Sequence, residues 1–225
     1  MSERIIPLKV CHGTWRNFCY FIRDPATSEA VIVDPAWELS TIMQEISRKK
    51  MHLKGVLLTH GHEDHSNLAT MVQKLYKVPV FVHIKEIESC NFKGPTLEPI
   101  RTEETICLGE NLRIEPWWTP GHTKGSICYF AYDALFTGDT LFIEGCGICD
   151  RNDIGSTSEM FNTLKRIKNS LSSHSRIFPG HSYGFPPGTS FGETIKTNIY
   201  LHFDNEYDFS RFRMRENQRS IYNFK

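Results

Sequence analysis

The sequence predicts an α+β fold with helices packed outside a strand-rich core. Three observations carry that expectation. Short β-branched or aromatic runs bounded by turn residues recur along the chain, longer stretches place apolar residues at helical spacing, and the two kinds alternate in both halves.

Taken in order, residues 5–10, 17–22 and 30–33 read as strands, separated by turn residues such as Asp24 and Pro25. Residues 38–50 follow as a helix with Leu39, Ile42, Met43 and Ile46 on one face. The apolar run 55–58 has the character of a strand buried on both faces, and it ends at Thr59 and His60. A second amphipathic helix is expected from Leu68, Met71, Val72 and Leu75, with Asp64 at its start, where a carboxylate suits the helix dipole. Residues 80–82, 106–108, 112–118, 126–131 and 134–137 read as further strands, 160–171 as a third helix and 176–178 as a last strand before Gly180 and His181. Trp117 and Trp118 are expected to fill core, and the alternating charges of 211–219 to form a solvated C-terminal helix. No repeat, low-complexity tract or linker divides the chain, so residues 1–225 are expected to form a single domain with a short C-terminal helical extension.

Composition narrows the function. Lys plus Arg and Asp plus Glu both total 26, so the broad basic field that supplies most nucleic-acid affinity is missing and nucleic acid is not the expected partner. No apolar run approaches the roughly 20 residues that span a bilayer, so no membrane partner is expected. The N-terminus lacks the apolar stretch of a secretory signal, and seven scattered cysteines read as reduced thiols; both point to the cytoplasm. Cys146 and Cys149 have the C-x-x-C spacing, but a single such pair offers only two sulfur ligands, and a structural role is expected.

The chemistry concentrates in Thr59-His60-Gly61-His62-Glu63-Asp64-His65. Here four potential ligands, His60, His62, Asp64 and His65, occupy six residues after a buried strand. Alternate residues share a face, so His60 and His62 can project together while Asp64 and His65 reach back from the helix mouth. Imidazole and carboxylate suit zinc or a similar first-row ion. Three later positions repeat one pattern, an apolar run, a glycine and then a ligand: His122, Asp139 and His181. Seven ligands exceed one tetrahedral ion and suit two zinc ions per chain, each with an open position for water. The other histidines, His12, His52, His83, His174 and His202, lack this context, although His12 also ends a strand.

This set of residues resembles the metallo-β-lactamase superfamily over about residues 17–181. The resemblance implies an αββα sandwich with metals along one edge. It implies that His60, His62 and His122 bind one ion, that Asp64, His65 and His181 bind the other, and that Asp139 bridges both. Asp34 matches an early aspartate of the superfamily and would orient a ligand from behind. Within the superfamily the chain is similar to the hydroxyacylglutathione hydrolases (glyoxalase II) in its Thr-Gly-Asp-Thr-Leu-Phe segment, its Gly-Cys-Gly turn and Tyr183, which matches a substrate-binding tyrosine. It departs from them where Ile148 and Asp150 replace a lysine and a tyrosine, and where only 44 residues follow His181, fewer than a glutathione-gripping helical domain needs.

Over its whole length the chain looks most like the zinc-dependent hydrolases of trans-acyltransferase polyketide biosynthesis. That implies an acyl thioester substrate, carried on an acyl carrier protein of an antibiotic pathway. It also implies attack by a metal-bridging hydroxide, with Asp64 and Asp139 as the catalytic carboxylates. Three alternatives stand beside it. An iron-dependent persulfide dioxygenase would use His60, His122 and Asp139 as its triad, but shows Arg-Thr where this chain has Ile148 and Cys149. A two-metal phosphodiesterase or RNA-processing nuclease would call for more positive charge. A non-catalytic scaffold docking carrier proteins would have no use for open coordination positions.

Overall fold

The computed structural model describes residues 3–90, 96–149 and 156–215. Within them the ten expected strands, joined by two that the sequence reading did not expect (Leu97–Ile100 and Thr189–Ser190), assemble into two six-stranded sheets. The first holds β1 (Ile5–His12), β2 (Trp15–Arg23), β3 (Glu29–Val33), β4 (His52–Leu57), β5 (Val80–His83) and β6 (Leu97–Ile100) in chain order. Pairing is antiparallel from β1 to β3 and parallel from β3 to β6. Each parallel step needs a crossover, supplied by α1 (Leu39–Arg48), α2 (Glu63–Ser66) with α3 (Ala69–Tyr76), and α4 (Ile84–Cys90).

The second sheet runs from β7 (Ile106–Leu108) through β8 (Leu112–Trp118), β9 (Ile127–Ala131), β10 (Ala134–Gly138) and β11 (Arg176–Pro179) to β12 (Thr189–Ser190). Only β10 and β11 pair in parallel, and α5 (Thr157–Ser170) makes their crossover. After β12 come α6 (Phe191–Thr197), a 3₁₀ turn (Ile199–His202) and α7 (Glu206–Arg213). Local sequence explains these helix starts: Ser156, Ser190 and Asn205 accept from the backbone N–H three residues on.

Residues in a strand alternate between two faces, and this period sorts the apolar side chains into layers. On β2 and β3, Cys19, Phe21, Ala30 and Ile32 face a core shared with α1 and α3, where Ile42, Ile46, Ala69 and Val72 pack. Their neighbours Tyr20, Ile22, Val31 and Val33 face the other sheet and meet Ile127, Tyr129, Phe136 and Phe178. The opposite face of the second sheet places Cys128, Leu135 and Ile177 against Met160, Leu164, Phe191 and Phe209. Helix, sheet, sheet, helix is therefore the order of the layers, and the expected αββα sandwich is present. Among the described residues no helix is long and apolar enough to cross a membrane.

Three further details differ from expectation. The helix drawn from Asp64 through Leu75 is broken in two. In an unbroken helix the Leu68 N–H would bond the Asp64 carbonyl; here it donates to Pro35 O at 3.2 Å, while Asp64 O accepts from Asn17 at 2.9 Å. The buried face of α3 is then Ala69 and Val72, which leaves Met71 and Leu75 exposed. Trp118 lies half-buried outside the core, its ring stacked on His83 and under the Lys85 ammonium, whereas Trp117 does pack against the second-sheet core. The expected C-terminal helix ends at Arg213, and 216–219 lie outside the described residues. Arg213 is buried rather than solvated, because its Nε donates to Gly147 O at 2.9 Å.

Two buried tyrosines tie the sheets together. Tyr20 on β2 donates to Pro179 O at the end of β11, and Tyr129 on β9 donates to Leu58 O just past β4 at 2.9 Å. Replacing Tyr129 with Phe deprives the Leu58 carbonyl of that donor. The Tyr129→Phe protein should lose about 1–2 kcal/mol of stability, read as a lower urea midpoint with an unchanged slope.

Candidate metal centre

All seven expected ligands sit on one edge of the sandwich, five of them just beyond strand ends. His60 and His62 follow β4, His122 follows β8, Asp139 directly follows β10, and His181 follows β11. Asp64 and His65 ride on α2, whose single turn returns them toward the strands. Close backbone approach completes the assembly. Gly138 adopts φ +47° against Thr59, and a methyl on Gly180 would lie 2.4 Å from His65 Cε1 and 2.7 Å from Asp139 Oδ1.

Besides Asp34, His60 and His65, whose donor atoms also lie within 4.8 Å of one another, the side chains form two groups of that kind: His60, His62 and His122, and Asp64, His65 and His181. Asp139 stands between them. Its Oδ1 is 3.3 Å from His65 Nε2 and 3.6 Å from His181 Nε2, and its Oδ2 is 3.8 Å from His122 Nε2. Asp64 Oδ2 lies 3.3 Å from His181 Nε2 and 3.5 Å from His65 Nε2.

Hydrogen bonds behind the histidines fix which nitrogen faces inward. His65 Nδ1 bonds Asp34 Oδ2 at 3.0 Å, His122 Nδ1 bonds Ile148 O at 2.8 Å, and His181 Nδ1 bonds Arg16 O at 2.8 Å. His60 Nδ1 meets the Thr59 hydroxyl at 3.1 Å, and that hydroxyl donates onward to Asp34 Oδ2 at 2.6 Å. With Nδ1 so engaged, these four rings turn Nε2 toward the centre, whereas His62 turns Nδ1 inward, 3.0 Å from His122 Nε2.

Burial pushes His60 and His122 below the ordinary histidine range, which keeps them neutral. Burial also opposes charge on His65 and His181, but neighbouring Asp139 and Asp64 prevail and raise both. Burial disfavours charge on Asp64 and Asp139 in turn, and the surrounding histidines outweigh it and hold both carboxyls below their usual range. Ionised carboxylates beside imidazoles, two of which would release a proton on binding, form a donor set suited to a divalent cation. His60 Nε2, His65 Nε2 and Asp139 Oδ1 are buried and make no hydrogen bond within the described protein, so the residues fit a bound metal.

Asp34 acts from behind, as expected. Its carboxylate accepts from Thr59 N at 2.8 Å as well as from the Thr59 hydroxyl and His65. Two supporting residues escaped the sequence reading. Asn17 is buried; its Nδ2 donates to Asp64 Oδ2 and to Asp64 O, both at 2.9 Å, and its Oδ1 accepts from Trp37 Nε1 at 3.1 Å. Glu86 on α4 bonds the turns of both His60 and His122. Neither residue carries a spacing or composition signal; only their tertiary neighbours reveal them.

Other expectations resolve simply. His12 stacks on Trp37 with ring centres 4.7 Å apart and is not among the grouped ligands. Cys146 and Cys149 are buried free thiols, and burial pushes Cys149 up to about 11, away from the reactive thiolate form. Tyr183 stands near the centre, its ring 6.1 Å from that of His181 and 5.3 Å from that of Phe142. Asp150 lies outside the described residues.

Two sheets between helical layers, with histidines and aspartates gathered at their shared edge, define an αββα protein with a metal-binding centre. The chain belongs to the metallo-beta-lactamase superfamily, whose family model matches residues 12–181. It is 41% identical over its full length, and over 99% of the relative's, to the "Probable polyketide biosynthesis zinc-dependent hydrolase PksB" of Bacillus subtilis (strain 168). It is 35% identical to a "Probable hydroxyacylglutathione hydrolase" of Schizosaccharomyces pombe, over 81% of this chain and 70% of that one. Among solved structures, ETHE1 from Myxococcus xanthus superposes with a TM-score of 0.82 at 26% identity, covering 94% of this chain and 91% of that one.

Asp34→Asn tests the support behind the ligands, since asparagine tolerates the left-handed backbone there (φ +50°) while removing the charge and one of the two acceptor oxygens. Metal affinity should fall about 10–100-fold with the fold retained, as read by competition with a chromophoric chelator.

Proposed function

We propose that the chain is a zinc-dependent acyl-thioester hydrolase that holds two metal ions. His60, His62 and His122 would hold one, Asp64, His65 and His181 the other, with Asp139 shared. The observation that carries this reading is the position of Asp139, whose two oxygens face histidines of both groups. Bound metal supplies an acidified water as nucleophile at neutral pH and a Lewis acid for the carbonyl oxygen.

The chain's own residues do the rest. Asp64, pinned by Asn17, orients the attacking water, and the buried walls of the site strengthen each electrostatic contact. The leaving thiolate, from a thiol of pKa about 8.5 by analogy with cysteine, needs little help from a proton donor. Trp15, next to the Arg16 whose carbonyl His181 bonds, and Phe185, four residues past His181, are exposed and would offer apolar surface to an acyl chain.

Full-length similarity to a polyketide-biosynthesis hydrolase favours an acyl group carried on a carrier protein. A second reading, hydroxyacylglutathione hydrolysis, draws on the 35% identity to a relative of that name and on Tyr183. Acyl carrier protein, acyl-pantetheine and acyl-glutathione thioesters should be assayed side by side, with elemental analysis of the same preparation. Two zinc ions per chain and fastest turnover of the carrier-bound substrate are expected. Preference for acyl-glutathione would transfer the assignment to the second reading, and a single iron with oxygen uptake would end both. His60→Ala should lose metal and turnover together; full activity in a metal-free His60→Ala protein would overturn the mechanism.

A further inference from the structure

The turns carrying His60 and His122 belong to different sheets, yet one carboxylate grips both. Glu86, on α4, is fully buried. Its Oε2 accepts from Gly61 N at 2.7 Å, between His60 and His62. Its Oε1 accepts from Gly125 N at 3.0 Å and from the Thr123 hydroxyl, immediately after His122. Ser126 closes the same turn, its Oγ bonding Thr123 N at 3.0 Å and the Thr123 hydroxyl at 2.8 Å.

Space has been made for this contact. A methyl on Gly125 would lie 2.5 Å from Glu86 N and 2.8 Å from Glu86 Oε1, so glycine there lets α4 close on the His122 turn. A buried carboxylate is costly unless its oxygens are well hydrogen-bonded, and this one meets backbone and hydroxyl donors from two separate turns. The other ligand group is held by Asn17 on Asp64, the Arg16 carbonyl on His181, and Asp34 on His65, with Asp34 also reaching His60 through the Thr59 hydroxyl. None of these bonds involves Glu86.

We infer that Glu86 is a positioning residue for one of the two ligand groups, fixing the distance between the His60–His62 turn and the His122 turn and so setting metal affinity at that group alone. The inference rests on the two-metal reading above. It assigns distinct supports to the two sites: Glu86 serves the three-histidine group, Asn17 and the Arg16 carbonyl serve the Asp64 group, and Asp34 reaches both through His65 and Thr59.

The test separates the sites by substitution. A His181→Ala protein retains the three-histidine group, and a His62→Ala protein retains the Asp64 group. Glu86→Gln is placed in each background and in the otherwise unchanged protein, and cobalt(II) is titrated by its visible absorption, with melting temperature recorded alongside. In the His181→Ala background Glu86→Gln should weaken cobalt binding about 10–100-fold and change the ligand-field spectrum. In the His62→Ala background affinity should stay within about threefold, well under the effect expected of a lost supporting hydrogen bond. Equal weakening in both backgrounds, or none in either, overturns the inference. Thr123→Val, which removes the hydroxyl bond to Glu86, gives a milder version; should Glu86→Gln fail to fold, a selective loss at the three-histidine group in Thr123→Val supports the inference and an unselective one refutes it. Uptake of fewer than two cobalt ions by the unsubstituted protein would instead refute the two-metal reading. Absence of thioesterase activity would leave the metal readout untouched.

Discussion

Five imidazoles and two carboxylates share one edge of the sandwich, and everything else in the molecule is arranged so that they can. Groups of this kind resist burial singly. Together they are tolerated because their outward-facing atoms are engaged: Nδ1 atoms on Asp34, on the Thr59 hydroxyl and on the carbonyls of Ile148 and Arg16, and Asp64 on Asn17. What remains is a set of lone pairs with one direction to point. The centre is thus defined as much by the residues behind the ligands as by the ligands themselves.

The sandwich supplies the geometry for this. Strands β3, β4, β8, β10 and β11 all deliver a polar residue at or just beyond their ends, and the Tyr20 and Tyr129 hydroxyls lock the two sheets in a fixed relation beneath that edge. Three apolar layers keep the sheets rigid, so small adjustments in the turns decide the ligand distances. Glycine at 138 and 180 allows those turns to approach to distances that a side chain would forbid.

Much of this was readable in the residues. The alternation of Cys19, Tyr20, Phe21 and Ile22 foretells a strand facing two cores, and the density of ligand types from His60 to His65 foretells a metal site. The supporting residues were hidden for a physical reason. Asn17 meets Asp64 across 47 positions, Glu86 meets Gly125 across 39, and Arg213 meets Gly147 across 66. A single polar residue has no period, and its partner is chosen by the fold. The same cause broke the helix after Asp64, where Asn17 and Pro35 took the backbone groups that helical propensity would have paired. Helices α4 and α6 were missed because seven residues give too short a window for periodicity.

The bond from His181 to the Arg16 carbonyl closes a loop of 165 residues. It means that the hairpin formed earliest in the chain completes a centre whose last ligand comes near its end. Such long-range closure is entropically demanding and slow to reach during folding. The grouped side chains come from both sheets, so a metal held there would bind the folded chain in preference to the unfolded one. Cation concentration then becomes a determinant of how much of the chain persists in the native state.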